Sequence, residues 1–223
     1  MTGNRDRTAG GSDLSAGGDI PWESEDDQFP SPPVEELREG GWSLRDTRVE
    51  VRARVMGVVA RAHELRFEDD RLREHIRSAG GPDHLWRLFY ATRLTFSPPL
   101  PPGIGPAMAL PKVRSAAREE FAEQLRDEGL VDVEAGDDDR IDVASGTRAK
   151  RTRFEATLPV ETDAGEIAIP MEGWIAVWHD EAMLLAGGLH PTDLSDVLAG
   201  TATDFDPAAS RDELQTLIRQ VTV

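Results

Sequence analysis

The chain has 223 residues, which is enough for one domain of ordinary size with a substantial hydrophobic core. Its 42 acidic residues outnumber 25 lysines and arginines and give a formal net charge of −17, which argues against a protein that coats nucleic acid or lies on an anionic membrane. Cysteine is absent, so disulfides, thiolate metal sites and a cysteine nucleophile are excluded.

The N-terminal residues are rich in Gly, Ser, Asp and Pro and contain only isolated apolar side chains, which is typical of a disordered acidic tail. The sequence therefore predicts a tail over residues 1–33 and a single domain over 34–223. Neither a signal sequence nor a membrane-spanning segment is recognisable, so we expect a cytoplasmic protein without membrane partners. Trp22 and Phe29 bracket four acidic residues, and this motif either orders on a partner or rests on the protein's own domain.

The first half of the domain alternates strands and helices. Val49 and Val51 alternate with charged residues, which predicts a half-buried strand with an aliphatic inner face. A short helix should follow, capped by Asp69 or Asp70 and ended by glycines. Residues 85–96 then predict a strand with apolar side chains on both of its faces, which places it near the middle of the sheet.

A proline-rich segment precedes the clearest helix of the chain. Six prolines in residues 97–111 predict a semi-rigid, polyproline-like connection. The helix should run from Pro111 to Gly129 and cover one face of the sheet. Its apolar residues recur every four positions: Val113, Ala117, Phe121 and Leu125.

The second half of the domain is predicted to be mostly extended. Five strands separated by polar turns indicate an antiparallel meander, and they span 130–134, 140–143, 147–160, 166–178 and 181–189. A capping-box pattern at Ser210 and Glu213 then predicts a closing helix. The fold class is therefore α+β: a twisted, mostly antiparallel sheet of about six or seven strands, packed by two or three helices.

The charge composition bears on the solvent of the protein. Only Lys112 and Lys150 are lysines, and the acid excess together with this scarcity resembles the composition of halophilic cytosolic proteins. A GC-rich genome is the alternative, because it favours arginine codons over lysine codons. That alternative does not by itself explain the acid excess.

Basic residues concentrate in two predicted strands, at Arg52, Arg54, Arg151 and Arg153. If those strands are neighbours, these four arginines form one cationic face that can hold a phosphate, a carboxylate ligand or RNA. The alternative is cross-strand ion pairing with acidic residues of the same surface, namely Glu50, Glu155 and Glu172.

Sequence motifs for cofactors and metals are mostly missing. Neither lysine follows a phosphate-binding glycine loop, residues 103–106 lack the third glycine of a dinucleotide fingerprint, and no serine nucleophile elbow occurs. The five histidines lack the spacings typical of metal ligands. The acidic run over 137–142 is either a cation-binding loop or a solvated turn. We predict neither a metal nor a cofactor.

Two tryptophans suggest a pocket. Trp174 and Trp178 lie four residues apart in a predicted strand and so share one of its faces. This face is either the wall of a ligand pocket or a second core layer under a helix. The candidate pocket, with residues 98–106 as its rim, is lined by Trp86, Trp174, Trp178, Glu172 and His84.

Three functions follow from these patterns. The first is a non-enzymatic domain that binds a small molecule or a protein partner in the tryptophan pocket. The second is a hydrolase in which His84 or His179 acts with Glu172 as general base. The third is binding of phosphate or RNA on the arginine face, although the overall negative charge opposes nucleic acid as a partner. The oligomeric state is not predicted.

Overall fold

The structure of the chain, a computed structural model, describes residues 28–55, 58–99, 106–162, 165–198 and 205–223. Within them, the strands are β1 (Trp42–Val55), β2 (Val58–Asp69), β3 (Leu88–Ser97), β4 (Val131–Asp142), β5 (Arg148–Thr162), β6 (Gly165–Asp180) and β7 (Ala182–Pro191). The helices are α1 (Val34–Gly40), α2 (Asp70–Ser78), α3 (Pro106–Asp127) and α4 (Pro207–Gln220). The strands form one antiparallel sheet in the order β1-β2-β3-β7-β6-β5-β4. The predicted α+β fold with its antiparallel sheet is thereby confirmed.

Helices cover both faces of the central strands. Successive side chains of a strand point to opposite sides, so one strand contributes to both core layers. In β6, Trp174 and Trp178 belong to the core cluster that contains the apolar residues of α4. Ile175 and Val177 belong to the cluster that contains the apolar residues of α3. The centre of the molecule therefore has three layers, with the sheet between α3 and α4.

Side-chain caps begin two of the helices. The carboxylate of Asp69 accepts a hydrogen bond from the Leu72 N–H at 2.9 Å, which confirms one of the two caps expected for α2. The capping box predicted at Ser210 is wrong. Asp206 caps α4 instead and accepts from the Ala208 N–H at 2.9 Å, because Pro207 occupies the first helical position, where a missing N–H costs no bond.

The first predicted strand differs from the structure in two ways. Val49 and Val51 are 52% and 45% exposed, so the expected aliphatic inner face is wrong at these positions. β1 is an edge strand, and the described helices lie mainly over the middle of the sheet. The chain also returns as β2, which the pattern missed because charged residues interrupt its apolar ones. The predicted strands 130–134 and 140–143 are one strand, β4, so the two errors in strand number cancel.

Helix α3 begins earlier than the apolar period indicated. Residues 106–111 are helical, so the predicted polyproline-like connection is wrong over this part. Pro106 occupies the first helical position, and the alanines, methionine and leucine after it are good helix formers. Residues 100–105 lie outside the described residues.

The last residues of the predicted tail contact the domain. Ser31 and Thr222 exchange two backbone hydrogen bonds of 3.0 Å, and the ring of Phe29 packs edge-on against His63 with 5.5 Å between centroids. The predicted tail boundary at residue 33 is therefore too late. Residues 1–27, including Trp22, lie outside the described residues.

The described helices include none that combines the length and the apolar character needed to cross a bilayer.

Candidate functional site

The residues of the predicted tryptophan pocket do not line one pocket in the structure. Trp174 and Trp178 are 3% and 1% exposed and lie in the core beneath α4. Trp86 is 1% exposed and belongs to the core on the opposite face of the sheet, with His84 against its ring. These tryptophans have the burial and neighbours of packing residues, as in the alternative interpretation of a core layer under a helix.

The four predicted anion-binding arginines also lie apart. Arg52 is on β1, whereas Arg151 and Arg153 are on β5, five interstrand spacings or roughly 24 Å away. The prediction of one cationic face is therefore wrong, because it required neighbouring strands. Instead, Arg52 pairs with Glu50 at 3.3 Å, as the alternative expected. The side chain of Arg54 lies outside the described part of the structure.

The two predicted anion-binding arginines of β5 are both ion-paired. Arg151 donates to Asp139 on β4 at 2.9 Å. Arg153 pairs with Glu155 at 2.9 Å and donates through Nε to Glu172. The acidic run over 137–142 is thus part of a strand that pairs with arginines, not a turn. Among the described residues, no group of three or more carboxylates or histidines is arranged to hold a metal ion.

Glu172 is the centre of a buried polar cluster. It lies opposite His190 in the β6–β7 register, and 3.5 Å separates Glu172 Oε2 from His190 Nε2. Arg211 of α4 donates through Nε to Glu172 Oε2 at 2.8 Å, while Arg153 holds the other oxygen. The ring of Trp174 stacks on His190 with 5.5 Å between centroids. The cluster therefore ties α4 to the sheet.

The electrostatics of this cluster keep Glu172 ionised. Burial alone would raise the pKa of this carboxyl, but the polar contact with His190 at 3.5 Å and the charges of Arg153 and Arg211 outweigh it. The pKa of Glu172 lies below its usual value as a result. The imidazole of His190 is fully buried, so it cannot touch a substrate from the surface.

His190 is the partner that sequence reasoning missed for Glu172. The hydrolase hypothesis paired Glu172 with His84 or His179, but His84 lies against Trp86 and His179 is at the β6–β7 hairpin. No spacing in the sequence marks His190. Only the register of two antiparallel strands brings it opposite Glu172.

A groove between α3 and β4, here called the α3–β4 groove, is a concave site of the described surface. Its volume is about 400 Å³. The buried ring of Phe154 forms its floor, and the small side chains of Ala122, Val133 and Ala135 form its lower walls. Its polar lining comes mainly from α3: Ser115, Arg118, Glu119, Glu123 and Arg126.

The groove exists because α3 and β4 do not pack tightly along their length. Phe121 anchors α3 on the sheet through an edge-on contact with Phe154, with 4.9 Å between ring centroids. β4 is an edge strand, and its pairing with β5 is interrupted before Glu134 and again after Ala135. Such irregularities bend an edge strand, and Val133 and Ala135 line the groove at this irregular part of β4. Sequence analysis missed this site because a bulge in an edge strand has no clear apolar period.

Polar and charged residues of α3 lie beside residues of β4 along the whole groove, because α3 and β4 run antiparallel. Arg126 donates to the Val133 carbonyl at 3.4 Å near one end. At the other end Asp138 accepts from Lys150 and from Thr152, the latter at 2.6 Å, and these bonds lower the pKa of Asp138. This end of the groove is therefore polar, while its middle is apolar.

Comparison with known proteins places the chain in a family. The described residues form an α+β domain with a seven-stranded antiparallel sheet and a surface groove. A family model described as a domain of unknown function, DUF6517, matches residues 29–222, and the chain belongs to this family. Neither a curated protein nor a solved structure matches the chain significantly.

Proposed function

We propose that this protein is a binding module that takes a small organic molecule in the α3–β4 groove. The observation that carries the proposal is the groove itself, whose volume of about 400 Å³ lies within the range of small-molecule sites. Its floor is the buried Phe154 ring, and polar side chains surround it. This combination suits a ligand with an apolar body and a polar end.

Binding is better supported than hydrolysis. A hydrolase needs a base that can reach its substrate, and the histidine nearest to Glu172 is fully buried beneath Trp174 and α4. Both oxygens of Glu172 already accept hydrogen bonds from arginines. The cluster around Glu172 is therefore assigned a structural role.

The proposal extends to the cellular setting. We infer that the protein works in a cytoplasm of high ionic strength, where salt screens the repulsion within a chain of net charge −17. The described surface supports this inference with exposed ion pairs such as Arg77–Glu74 and Arg148–Asp142. Such pairs contribute little to stability by themselves, so screening of the remaining acids matters more.

A groove-filling substitution tests the binding function. In Ala122→Phe the new ring occupies the groove, whereas Ala116→Phe places the same ring on an exposed position of α3 outside it. Saturation-transfer NMR with the neutral aromatic probe 2-naphthamide should show contact with wild type and with Ala116→Phe. The signal should disappear in Ala122→Phe. An unchanged signal in Ala122→Phe contradicts the proposal.

A further inference from the structure

Four arginines around the α3–β4 groove lack a carboxylate partner. Arg114, Arg118 and Arg126 of α3 and Arg140 of β4 have no carboxylate oxygen within 4.0 Å in the described part of the chain. Elsewhere most described arginines are paired, as expected where acids outnumber bases by 42 to 25. An unpaired group of arginines is therefore unexpected at this site.

Arg118 and Arg126 line the groove, and Arg114 and Arg140 lie just beyond its Arg118 end, so three of the four arginines meet at that end. Because α3 and β4 are antiparallel, Arg126 lies beside Val133, and the chain then brings Arg118 near Asp138 and Arg114 near Arg140. Asp138 brings one negative charge to this end, but it is also paired with Lys150, so one carboxylate faces several cations here.

The surroundings of Arg114 at this end are unfavourable for its positive charge. The Nε of Arg114 is buried and has no hydrogen-bond partner within the described structure. Burial lowers the pKa of the Arg114 guanidinium, and the nearby charge of Arg140 lowers it further, while Asp138 opposes the change. An anion placed between Arg114, Arg118 and Arg140 would supply the missing acceptor and relieve the repulsion.

The acidic residues of the groove lie on its outer side. On a helix that turns about 100° per residue, Ala122 follows Arg118 by about 40°, whereas Glu119 and Glu123 follow by about 100° and 140°. Both carboxylates therefore stand further round α3 from the sheet than Arg118 does. Glu119 also accepts a hydrogen bond from Ser115 at 3.3 Å.

We propose that the ligand of the α3–β4 groove is an organic anion, with its carboxylate or phosphate held by Arg114, Arg118 and Arg140. Its apolar body lies along Ala122 and Ala135 over the Phe154 ring. This assignment rests on the proposed binding function and adds the chemical class of the ligand. Arginine forks suit both head groups, because each presents paired oxygens.

Three probes with one aromatic body test the head group. They are 2-naphthoate, 2-naphthyl phosphate and the neutral 2-naphthamide, titrated into the full chain by calorimetry or NMR. At least one of the two anions should bind wild type about tenfold more tightly than the amide, since charged hydrogen bonds are replaced by neutral ones. The anion that shows the larger preference identifies the head group.

A double substitution tests the residues. In Arg114→Gln with Arg118→Gln, the anion preference should vanish because the Kd of the anion rises far more than that of 2-naphthamide, and retained binding of 2-naphthamide shows that the groove is intact. The matched control, Arg77→Gln with Arg148→Gln, removes the same charge from exposed positions elsewhere and should keep the preference.

The outcomes separate the two proposals. Equal affinities of wild type for the three probes overturn the anion assignment and leave the binding function standing. An anion preference that persists in the Arg114 and Arg118 variant also overturns the assignment. Failure of all three probes to bind wild type overturns both proposals.

Discussion

Glu172 Oε2 lies 3.5 Å from His190 Nε2, across the interface between β6 and β7 and beneath the first turns of α4. Arg211 extends from α4 to the same carboxylate, and Trp174 covers the imidazole. This contact joins two layers of the molecule through one ionised group. It is therefore a place where a single substitution tests how the C-terminal helix is held.

Glu172→Gln should lower the free energy of unfolding by about 2 kcal/mol, because Arg153 and Arg211 lose a charged acceptor while the volume is kept. Urea unfolding at pH 7 measures the change. Glu155→Gln removes the other, exposed carboxylate beside Arg153 and should cost less than about 0.5 kcal/mol. Equal effects of the two substitutions contradict the role given to Glu172.

The deficit of Glu172→Gln in free energy of unfolding should disappear at low pH. The folded-state pKa of Glu172 is depressed, so its contribution is complete above the pKa of the unfolded chain and is lost as the pH falls through the lower folded value. The difference between wild type and Glu172→Gln should therefore shrink as urea unfolding is repeated at stepwise lower pH below 5. A constant difference down to pH 3 would oppose this account.

Glu64 should show the opposite pH dependence. Burial raises its pKa, Glu120 adds to the rise and Arg52 opposes it, so the folded chain holds this proton more tightly than the unfolded chain does. Stability then falls as the pH rises through the folded-state pKa. Glu64→Gln should exceed wild type in unfolding free energy at pH 8 and match it at pH 4. Glu50→Gln, which removes an exposed carboxylate beside Arg52, should not show this crossover.

Arg87 is expected to be the most sensitive charged residue of the core. Its guanidinium is buried, bonds Asp69 at 2.6 Å and Glu213 at 2.7 Å, and stacks on Trp42 at 4.6 Å. Arg87→Met leaves a buried carboxylate unpaired and should cost about 3 to 5 kcal/mol in denaturant unfolding. Arg77→Met, at an exposed pair, should be nearly neutral.

Gly188→Ala should separate β7 from β3. A Cβ at this position would lie 2.1 Å from the Leu88 carbonyl oxygen, and backbone cannot move aside as a side-chain end can. We expect a loss of about 3 kcal/mol, measured by thermal or urea unfolding. Gly136→Ala is the control, because its added Cβ meets nothing closer than 3.7 Å. A wild-type melting temperature for Gly188→Ala would contradict the tight β3–β7 contact.

Salt should stabilise the protein. With a net charge of −17, the folded chain repels itself, and raising KCl from about 0.1 M to 1 M shortens the screening length from about 10 Å to 3 Å. The melting temperature should rise through this range and continue to rise in more concentrated KCl if the protein is adapted to salt. A flat or falling melting temperature in molar KCl speaks against the halophilic interpretation.

Much of the secondary structure could be predicted because its signals are local. The alternation of residues in β5 and β6 and the four-residue period of α3 reflect side chains that repeat every second or fourth position. β2 was missed because charged residues occupy many positions of this strand between β1 and β3. The start of α3 was misplaced because prolines stand in its first turns.

The candidate site was less accessible to sequence reasoning. Trp174 and Trp178 were rightly placed on one face, but whether a helix covers that face depends on where α4 docks. The prediction of one arginine face was wrong, because it required Arg52 and Arg153 to lie on neighbouring strands. The α3–β4 groove depends on an irregularity in strand pairing, which no local pattern encodes.

By itself, the sequence determined the α+β class, the antiparallel second half, the acidic composition and the exclusion of cysteine chemistry. These are properties of composition and of short-range periodicity, which each segment carries alone. Only the tertiary structure decided that β7 lies between β3 and β6, that Glu172 contacts His190, and that unpaired arginines collect beside one groove. Those facts depend on hydrogen bonds and packing between distant segments, which form only when the whole sheet closes on its helices.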